Sequence, residues 1–321
     1  MERSVVYDSL DRHLLQALQL DGRAPFRRIA AVLEVSETAV ARRYRRLRAE
    51  GLRIVARAVP ERMGETTWFL RIRSTPDTTV RLAEAIACLP ESSYVSVDAA
   101  STQICCGIIA ADFEENGPPV LASLRRANHV TAISAHGLLR TYEGDPPTWY
   151  TKLDPLTPEQ QAALTPERPR SHPDGEPAVL DETNRAILAH LANDARSTLP
   201  ELSDATGVST ATAKRRLDYL RGDGILQICT DFPHRHIGYS LMSYLWLQVE
   251  PARLETVGAT LATHQPISFA AATTGPHNLV AAAITRGTND LYRYLTTHVG
   301  PLPGVQSIET APALRQLKRL V

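Results

Sequence analysis

Apolar residues recur at helical spacing in successive segments near the start of the chain. Residues 8–20 and 25–33 each place their apolar side chains on one helical face. After a two-residue break, Ser36 is a candidate N-cap for a third helix that ends near residue 50. The apolar run at 52–59 predicts a strand. Two short helices, a tight turn, a third helix and a strand are typical of a winged helix-turn-helix.

The same pattern occurs a second time. A shift of 173 positions aligns residues 8–51 with residues 181–224 without gaps. The residues of the first copy that meet an identical residue are Asp8, Arg12, Leu15, Leu18, Asp21, Arg23, Val35, Ser36, Arg42, Arg43, Leu47, Arg48 and Gly51. Further along, a shift of 175 aligns residues 130–140 with residues 305–315. The chain is therefore predicted to be a tandem duplication.

Behind each predicted helix-turn-helix, the pattern of apolar residues alternates between strands and helices. In the second half the predicted order is a strand at 240–249, a helix at 252–264, strands at 267–273 and 278–285, a helix at 288–299 and a strand at 304–314. The first half follows with 68–73, 77–89, 94–99, 104–110, 118–127 and 130–139. This βαββαβ order is the ferredoxin-like arrangement. The sheet face that the helices leave open contains Trp246, Leu247 and Ile284, so we expect a second sheet to cover it.

These patterns predict an α+β chain of five segments. Winged helix-turn-helix domains are expected at 1–60 and 180–234, and ferredoxin-like βαββαβ domains at 61–143 and 235–321. The segment 144–179 holds eight of the 22 prolines, which favours a semi-rigid linker. Within this linker, Thr157 and Gln160 form a candidate capping box for one short helix.

The third helix carries five arginines on a chain with no net charge, since 35 basic residues balance 35 acidic ones. Its apolar stripe should face the core, with Arg42, Arg45 and Arg46 opposite and Arg43 on a flank. A run of arginines is often only a solvated face, but in a helix-turn-helix this helix enters the major groove. The predicted DNA contacts are Ser36, Glu37, Thr38, Arg42, Arg43, Arg45 and Arg46.

The corresponding helix of the second copy is less basic. Asp218 stands at the position of Arg45, and Tyr219 at the position of Arg46. An acidic residue on the outward face repels phosphate, so this copy is predicted to be the weaker reader or a scaffold. Its candidate DNA contacts are Ser209, Thr210, Thr212, Lys214 and Arg215.

Composition excludes several classes of protein. No apolar run approaches the roughly 20 residues of a membrane span, and no secretion signal is present, so a cytoplasmic protein is expected. The four cysteines form no CxxC pair and are expected to be buried free thiols. No catalytic triad, phosphate-binding glycine loop or metal-ligand set is present, so neither an enzyme nor a cofactor is predicted.

These residues carry a family likeness. The stretch "LDRHLLQALQLDGRAPFRRIAAVLEVSETAVARRYRRLRAEG" resembles the N-terminal helix-turn-helix of the Lrp/AsnC (feast/famine) transcriptional regulators. The rear segments resemble that family's ligand-sensing and oligomerising domain, with "TTGPHNL" at 273–279 and "PGVQSIET" at 303–310. Ordinary members carry one copy of each domain and dimerise through the sheet, so this chain looks like a covalent pseudo-dimer. The resemblance implies a regulator that binds double-stranded DNA, responds to a small-molecule effector and forms a dimer or larger homo-oligomer.

The resemblance also implies an effector loop between the central strands. The family pattern has Thr-Gly followed, three positions after the glycine, by an acidic residue suited to an amino-acid ammonium group. Here Thr274 and Gly275 match, but Asn278 stands at the acidic position; with His277 they are the predicted effector residues. In the first half Ala99, Ala100 and Gln103 take these places. An effector is therefore expected at 274–278, an amino acid or a related metabolite, with a plain strand-connecting turn as the alternative.

Two rival functions stay open. Fused proteins similar to this family act as sirohaem decarboxylases, and His234, His236, His264 and His277 are the candidate histidines for such an enzyme. His234 and His236 are two positions apart, but no third ligand lies at metal spacing. The other rival is a ligand-sensing assembly protein that has lost DNA binding, which Asp218 favours for the second half.

Overall fold

The four predicted domains assemble into two compact units. The first unit contains Met1–Gly64 and Tyr150–Ile237, and the second contains Glu65–Trp149 and Gly238–Val321. The computed structural model describes residues 7–111, 119–144, 148–154, 156–166 and 177–319. Parts of the predicted linker and the first residue of the helix predicted at 118–127 lie outside these ranges. Each unit contains one segment from the first copy of the repeat and one from the second.

The first unit contains both helix-turn-helix motifs. In the first copy the helices are α1 (Ser9–Leu20), α2 (Phe26–Val32) and α3 (Glu37–Ala49). The hydroxyl oxygen of Ser36 accepts the backbone N–H of Ala39 at 3.1 Å, which confirms the predicted N-cap of α3. Gly51 follows the helix with φ +101°, a backbone conformation that favours glycine.

The strands that follow the two motifs pair with each other. β1 (Arg53–Ala58) runs antiparallel to β6 (Leu226–Asp231), with Val55 opposite Cys229. Each strand is thus one half of a shared two-stranded sheet, whereas a wing of the usual kind is a hairpin within one motif. The pairing satisfies the backbone groups that an isolated strand would leave open, and it joins the two copies.

Residues conserved between the two copies of the repeat make reciprocal contacts across the first unit. The guanidinium of Arg23 donates to the carbonyls of Ala195 and Ser197, and that of Arg196 donates to the carbonyls of Gly22 and Ala24. Each of these residues is the 173-shift counterpart of another in the set. The ion pair of Arg48 with Asp194 is likewise matched by that of Arg221 with Asp21. These identities are therefore explained by the interface between the copies.

The predicted linker packs on the first helix-turn-helix. The first half of the unit is completed by α6 (Pro158–Leu164), whose Thr157–Gln160 capping box is present as predicted. The Gln16 amide donates to the carbonyls of Leu153 and Asp154, and Leu164 is fully buried. The described part of this segment is therefore a folded element of the unit.

The second copy in the first unit repeats the same three helices. They are α7 (Glu182–Leu191), α8 (Leu199–Thr206) and α9 (Thr210–Gly222). Ser209 caps α9 by accepting the backbone N–H of Thr212 at 3.2 Å.

The second unit contains both βαββαβ repeats. The first-half elements are β2 (Glu65–Ser74), α4 (Pro76–Ala87), β3 (Ser92–Asp98), β4 (Gln103–Ala111), α5 (Pro119–Arg125) and β5 (Val130–Glu143). The second-half elements are β7 (Leu241–Val249), α10 (Leu254–Thr263), β8 (Ile267–Thr273), β9 (Leu279–Thr285), α11 (Thr288–Tyr294) and β10 (Val305–Lys318). A π-helical turn, Leu295–Val299, extends α11.

The eight strands close into one barrel. The strand order is β10-β3-β4-β2-β5-β8-β9-β7, so each half contributes four adjacent strands. The last strand of each half pairs with the second strand of the other half, which closes the two seams. β5 and β10 run four residues beyond their predicted ends because these residues pair across the seams.

One face of the sheet packs against the helices, and the other faces the interior of the barrel. Trp246 is fully buried between the sheets, as expected, with its ring centroid 5.2 Å from that of Phe69. The assignment of Leu247 to the same face is wrong. Alternation along β7 turns Leu247 towards the helices, where it packs with Val257 and Leu261. The prediction of four buried thiols is also wrong for Cys88, which is exposed at the end of α4.

Candidate functional site

The outward face of α3 exposes two arginines. Arg42 and Arg45 are exposed, and neither makes a hydrogen bond or ion pair with any residue that the structure describes. Ser36, Glu37 and Thr38 are exposed at the start of the same helix. Since Thr38, Arg42 and Arg45 are spaced at i, i+4 and i+7, they form one stripe.

The other predicted arginine contacts of α3 point into the protein. Arg43 pairs with Asp8 and Asp11, at 2.7 Å in each case. Arg46, predicted on the outward face, lies 2.5 Å from the buried carboxylate of Asp11. Both arginines therefore neutralise a buried charge, and their contact with DNA stays a prediction.

The second copy presents a different surface. The Lys214 ammonium lies 2.8 Å from the Asp218 carboxylate one turn away, and Thr212 is half-buried with its hydroxyl 3.0 Å from that of Ser209. Ser209 and Thr210 are exposed. Arg215, the counterpart of Arg42, is exposed and unpaired among the described residues. Within the described part of the chain, the outward stripe of α9 therefore has one unpaired cation where that of α3 has two.

The predicted effector residues lie on the turn between β8 and β9, but two of them have structural roles. The Thr274 hydroxyl accepts the backbone N–H of Gly137, across the seam between β8 and β5. The Asn278 amide accepts the Val249 N–H at 2.9 Å and donates to the Val249 carbonyl at 2.8 Å, so it acts as an extra rung between β7 and β9. Both side chains thus help to hold the strands together, and their contact with an effector stays a prediction.

The remaining part of the turn is open. Gly275 has φ +106°, and a side chain there would meet Nδ1 of His136 at 2.7 Å. The structure records no acceptor for the backbone N–H groups of Gly275 and His277 within the residues it describes. The turn thus offers two backbone N–H donors and the imidazole of His277 to a ligand.

The equivalent turn of the first half is closed on itself. The Asp98 carboxylate accepts the backbone N–H groups of Thr102 at 2.9 Å and Gln103 at 3.0 Å. Thr273 stands at the position of Asp98 in the second half, and its hydroxyl donates to the His277 carbonyl instead. The two turns therefore differ in their capacity to receive an acceptor group.

Sequence reasoning missed a charged cluster beside the second turn. Arg71 donates to both carboxylate oxygens of Glu309, and its guanidinium lies 4.6 Å from the Trp246 ring centroid. The hydrogen bond from Arg71 lowers the pKa of Glu309 below its usual value. Nε2 of His277 lies 3.9 Å from this carboxylate. No local pattern signals the cluster, because Arg71 and Glu309 come from different halves.

The histidines of the enzymatic alternative belong to different units, His234 and His236 to the first and His264 and His277 to the second. His236 packs in an aromatic cluster, 5.5 Å from Phe232 and 6.2 Å from Tyr7 between ring centroids, and Nδ1 of His264 lies 3.0 Å from the Tyr294 hydroxyl. Among the described residues, no group of three histidine, cysteine or acidic side chains is placed to hold a metal ion. No helix of the described chain is long and apolar enough to cross a membrane.

Comparison with known proteins assigns both kinds of domain. The AsnC-type helix-turn-helix family model matches residues 8–48 and 180–221, and the Lrp/AsnC ligand binding domain model matches residues 243–320. Together the matches cover half of the chain. Two similar proteins are the HTH-type transcriptional regulator FL11 of Pyrococcus horikoshii and the regulatory protein AsnC of Haemophilus influenzae. FL11 is 29% identical over 43% of this chain and 92% of its own length; AsnC is 27% identical over 43% and 97%.

Similarity to a solved structure extends over nearly the whole chain. The siroheme decarboxylase NirDL aligns with a TM-score of 0.63 over 98% of this chain and 93% of its own, at 13% sequence identity. At this identity the likeness concerns the fold. FL11 and AsnC each align with less than half of this chain over nearly their full length, as expected if each is equivalent to one half. The chain belongs to the Lrp/AsnC family of transcriptional regulators.

Proposed function

We propose that this Lrp/AsnC-type DNA-binding regulator contacts DNA chiefly through Arg42 and Arg45 of α3. The observation that carries the proposal is that some arginines of that helix pair with aspartates and others do not. Arg43, Arg46 and Arg48 each pair with an aspartate, whereas Arg42 and Arg45 are exposed without a partner among the described residues. Arginine at this position of a helix-turn-helix pairs with guanine edges or phosphates. Such a role places the protein in the compartment that holds the DNA.

The test is recovery of duplex fragments of the protein's own genome by the purified full chain. We expect a discrete set of bound fragments and an affinity that falls steeply with salt, since phosphate contacts release counterions. The double variant Arg42→Ala/Arg45→Ala should lose this binding. The control Arg81→Ala/Arg185→Ala removes the same charge from exposed positions of α4 and α7. Equal binding by both double variants would contradict the proposal.

For the effector, we propose the turn between β8 and β9, with His277 and the two backbone N–H groups that have no acceptor among the described residues. Support comes from the contrast with the first-half turn, where Asp98 accepts the N–H of Thr102, the counterpart of His277, and that of Gln103. A ligand carboxylate or carbonyl would accept from Gly275 and His277, and Glu309 lies near enough to His277 to attract a cationic group. These features fit an amino acid or a related metabolite.

A thermal-shift screen of the twenty standard amino acids examines this site. The amino acid that stabilises the protein should bind the His277→Ala variant more weakly and the Thr102→Ala variant normally. Thr102 is the counterpart of His277 in the closed turn. Equal weakening by both variants would locate the effector elsewhere, and a panel without a stabilising compound would exclude this ligand class.

Association of chains is also part of the proposal. Leu139 on β5 and Leu314 on β10 are related by the 175-residue shift, and they are 62% and 65% exposed. Two equivalent leucines at the barrel surface are suited to contact another copy. Light scattering after gel filtration should show a dimer or larger species that Leu139→Asp/Leu314→Asp reduces to the monomer; a monomeric wild-type chain would refute this part.

A further inference from the structure

We infer that each chain reads a single, non-palindromic DNA element, although it carries two helix-turn-helix motifs. The inference rests on the proposed DNA-binding function and specifies the class of DNA that the protein takes. Two identical recognition helices related by a two-fold axis match an inverted repeat. Here the two helices have the required symmetry but carry different surfaces.

The backbone geometry alone would provide two equivalent recognition helices. The β1–β6 ladder and the reciprocal contacts of Arg23 and Arg196 hold α3 and α9 in equivalent positions about one local axis. Ser36 and Ser209 cap the two helices in the same way. Nothing in the backbone therefore disables the second motif.

The charges break this symmetry. Residues 26–49 of the first motif contain seven arginines and two glutamates, whereas the matching residues 199–222 contain four basic and three acidic residues. The outward stripe Thr38–Arg42–Arg45 becomes Ala211–Arg215–Asp218. Asp218 also takes the charge of Lys214 into an ion pair.

The second helix of the second motif, α8, adds to the difference. Glu201 and Asp204 are exposed on α8 at the positions of Arg28 and Ala31. A carboxylate near a phosphate weakens binding to DNA, whereas an arginine at the same position strengthens it. The carboxylate also releases no counterion from the DNA. The surface of the second motif is thus unsuited to a second half-site.

The exposed substitutions are a specificity feature and not a folding defect. Asp204, Ala211 and Asp218 are all exposed, so the fold does not require them. The side chains that hold the two copies together are, by contrast, matched pairwise. Selection of DNA sequence should therefore follow the first motif alone.

The experiment is selection of a random duplex library by the full-length protein carrying Leu139→Asp/Leu314→Asp, so that each complex holds one chain, followed by affinity measurements on the selected element. We expect one asymmetric motif, and an inverted repeat of it should bind no more than about twofold tighter than the single element, the statistical advantage of two sites. Arg42→Ala should abolish selection, and Arg215→Ala should leave the motif unchanged. A symmetric motif from the monomeric Leu139→Asp/Leu314→Asp chain, or equal losses from Arg42→Ala and Arg215→Ala in that chain, would overturn the inference.

A graft provides the converse test. The triple variant Asp204→Ala/Ala211→Thr/Asp218→Arg gives the second motif the outward residues of the first. It should prefer the inverted repeat by about five- to 150-fold, the range supplied by one specific side-chain contact to a base. If the graft fails to fold, the Arg42 and Arg215 comparison still decides. If no DNA is selected by any variant, the proposed function itself fails, which is a different result from selection of a palindrome.

Discussion

The guanidinium of Arg46 lies 2.5 Å from the carboxylate of Asp11, which is completely buried beneath α3. In the second copy both partners change together, since Asn184 stands at the position of Asp11 and Tyr219 at the position of Arg46. A buried carboxylate needs a cation, and a buried amide does not. Arg46 therefore belongs to the fold of the first motif.

Replacing Arg46 by alanine should destabilise the first unit. Arg43 still neutralises Asp11, so we expect a loss of about 1–3 kcal/mol in the free energy of unfolding, measured with urea. Arg42→Ala and Arg45→Ala should stay within about 0.5 kcal/mol of wild type. The swap Asp11→Asn/Arg46→Tyr, which copies the second motif, should recover most of the loss. A stable Arg46→Ala variant that fails to bind DNA would show that Arg46 reads DNA after all.

The second prediction concerns the two reciprocal arginines. Replacing either Arg23 or Arg196 by lysine removes the planar fork that donates to two carbonyls of the other copy. Arg196→Lys should destabilise more, because its guanidinium also lies 4.7 Å from the Phe26 ring centroid, whereas the corresponding neighbour in the other copy is Leu199. A stack of this kind contributes about 0.5–2 kcal/mol.

Urea unfolding of the two lysine variants measures this difference. Arg185→Lys, at an exposed position of α7, is the control and should change nothing. Equal losses for Arg23→Lys and Arg196→Lys would show that the aromatic contact contributes no stability.

The sequence predicts the elements far better than the way they combine. Helix phase and caps at Ser36 and Thr157 are local, and the structure has them as expected. Arg46 was misplaced because a helical wheel gives the direction of Cβ and not the path of a long side chain towards a buried acid. The joining of the two sheets at their seams, and with it the position of His136 against Gly275, depends on pairing across more than a hundred residues.

Gly275 should tolerate alanine poorly. Its φ of +106° strains any side chain, and a Cβ would lie 2.7 Å from Nδ1 of His136. Gly238 has φ +91° with open space around it, so Gly238→Ala isolates the backbone strain, about 1–2 kcal/mol. We expect Gly275→Ala to lose more than this in urea unfolding, and His136→Ala to restore part of the difference. Equal losses at the two glycines would mean that His136 simply moves aside.

The Arg71–Glu309 pair should make the second unit sensitive to acid. Because Arg71 lowers the pKa of Glu309 in the folded state, the pair stabilises the fold above the unfolded carboxyl pKa, about 4.3, and loses this effect as the pH falls through the lower folded value. Wild type should therefore melt at a higher temperature than Glu309→Gln at pH 7, and the gap should close in the acid range below the unfolded pKa. Since Glu309 is 41% exposed, the gap should be small and should shrink with added salt. Glu255→Gln, which removes an exposed carboxylate paired with Arg140, is the control and should show little gap at any pH. A gap for Glu309→Gln that persists unchanged at low pH would mean that its contacts other than charge are what stabilise the fold.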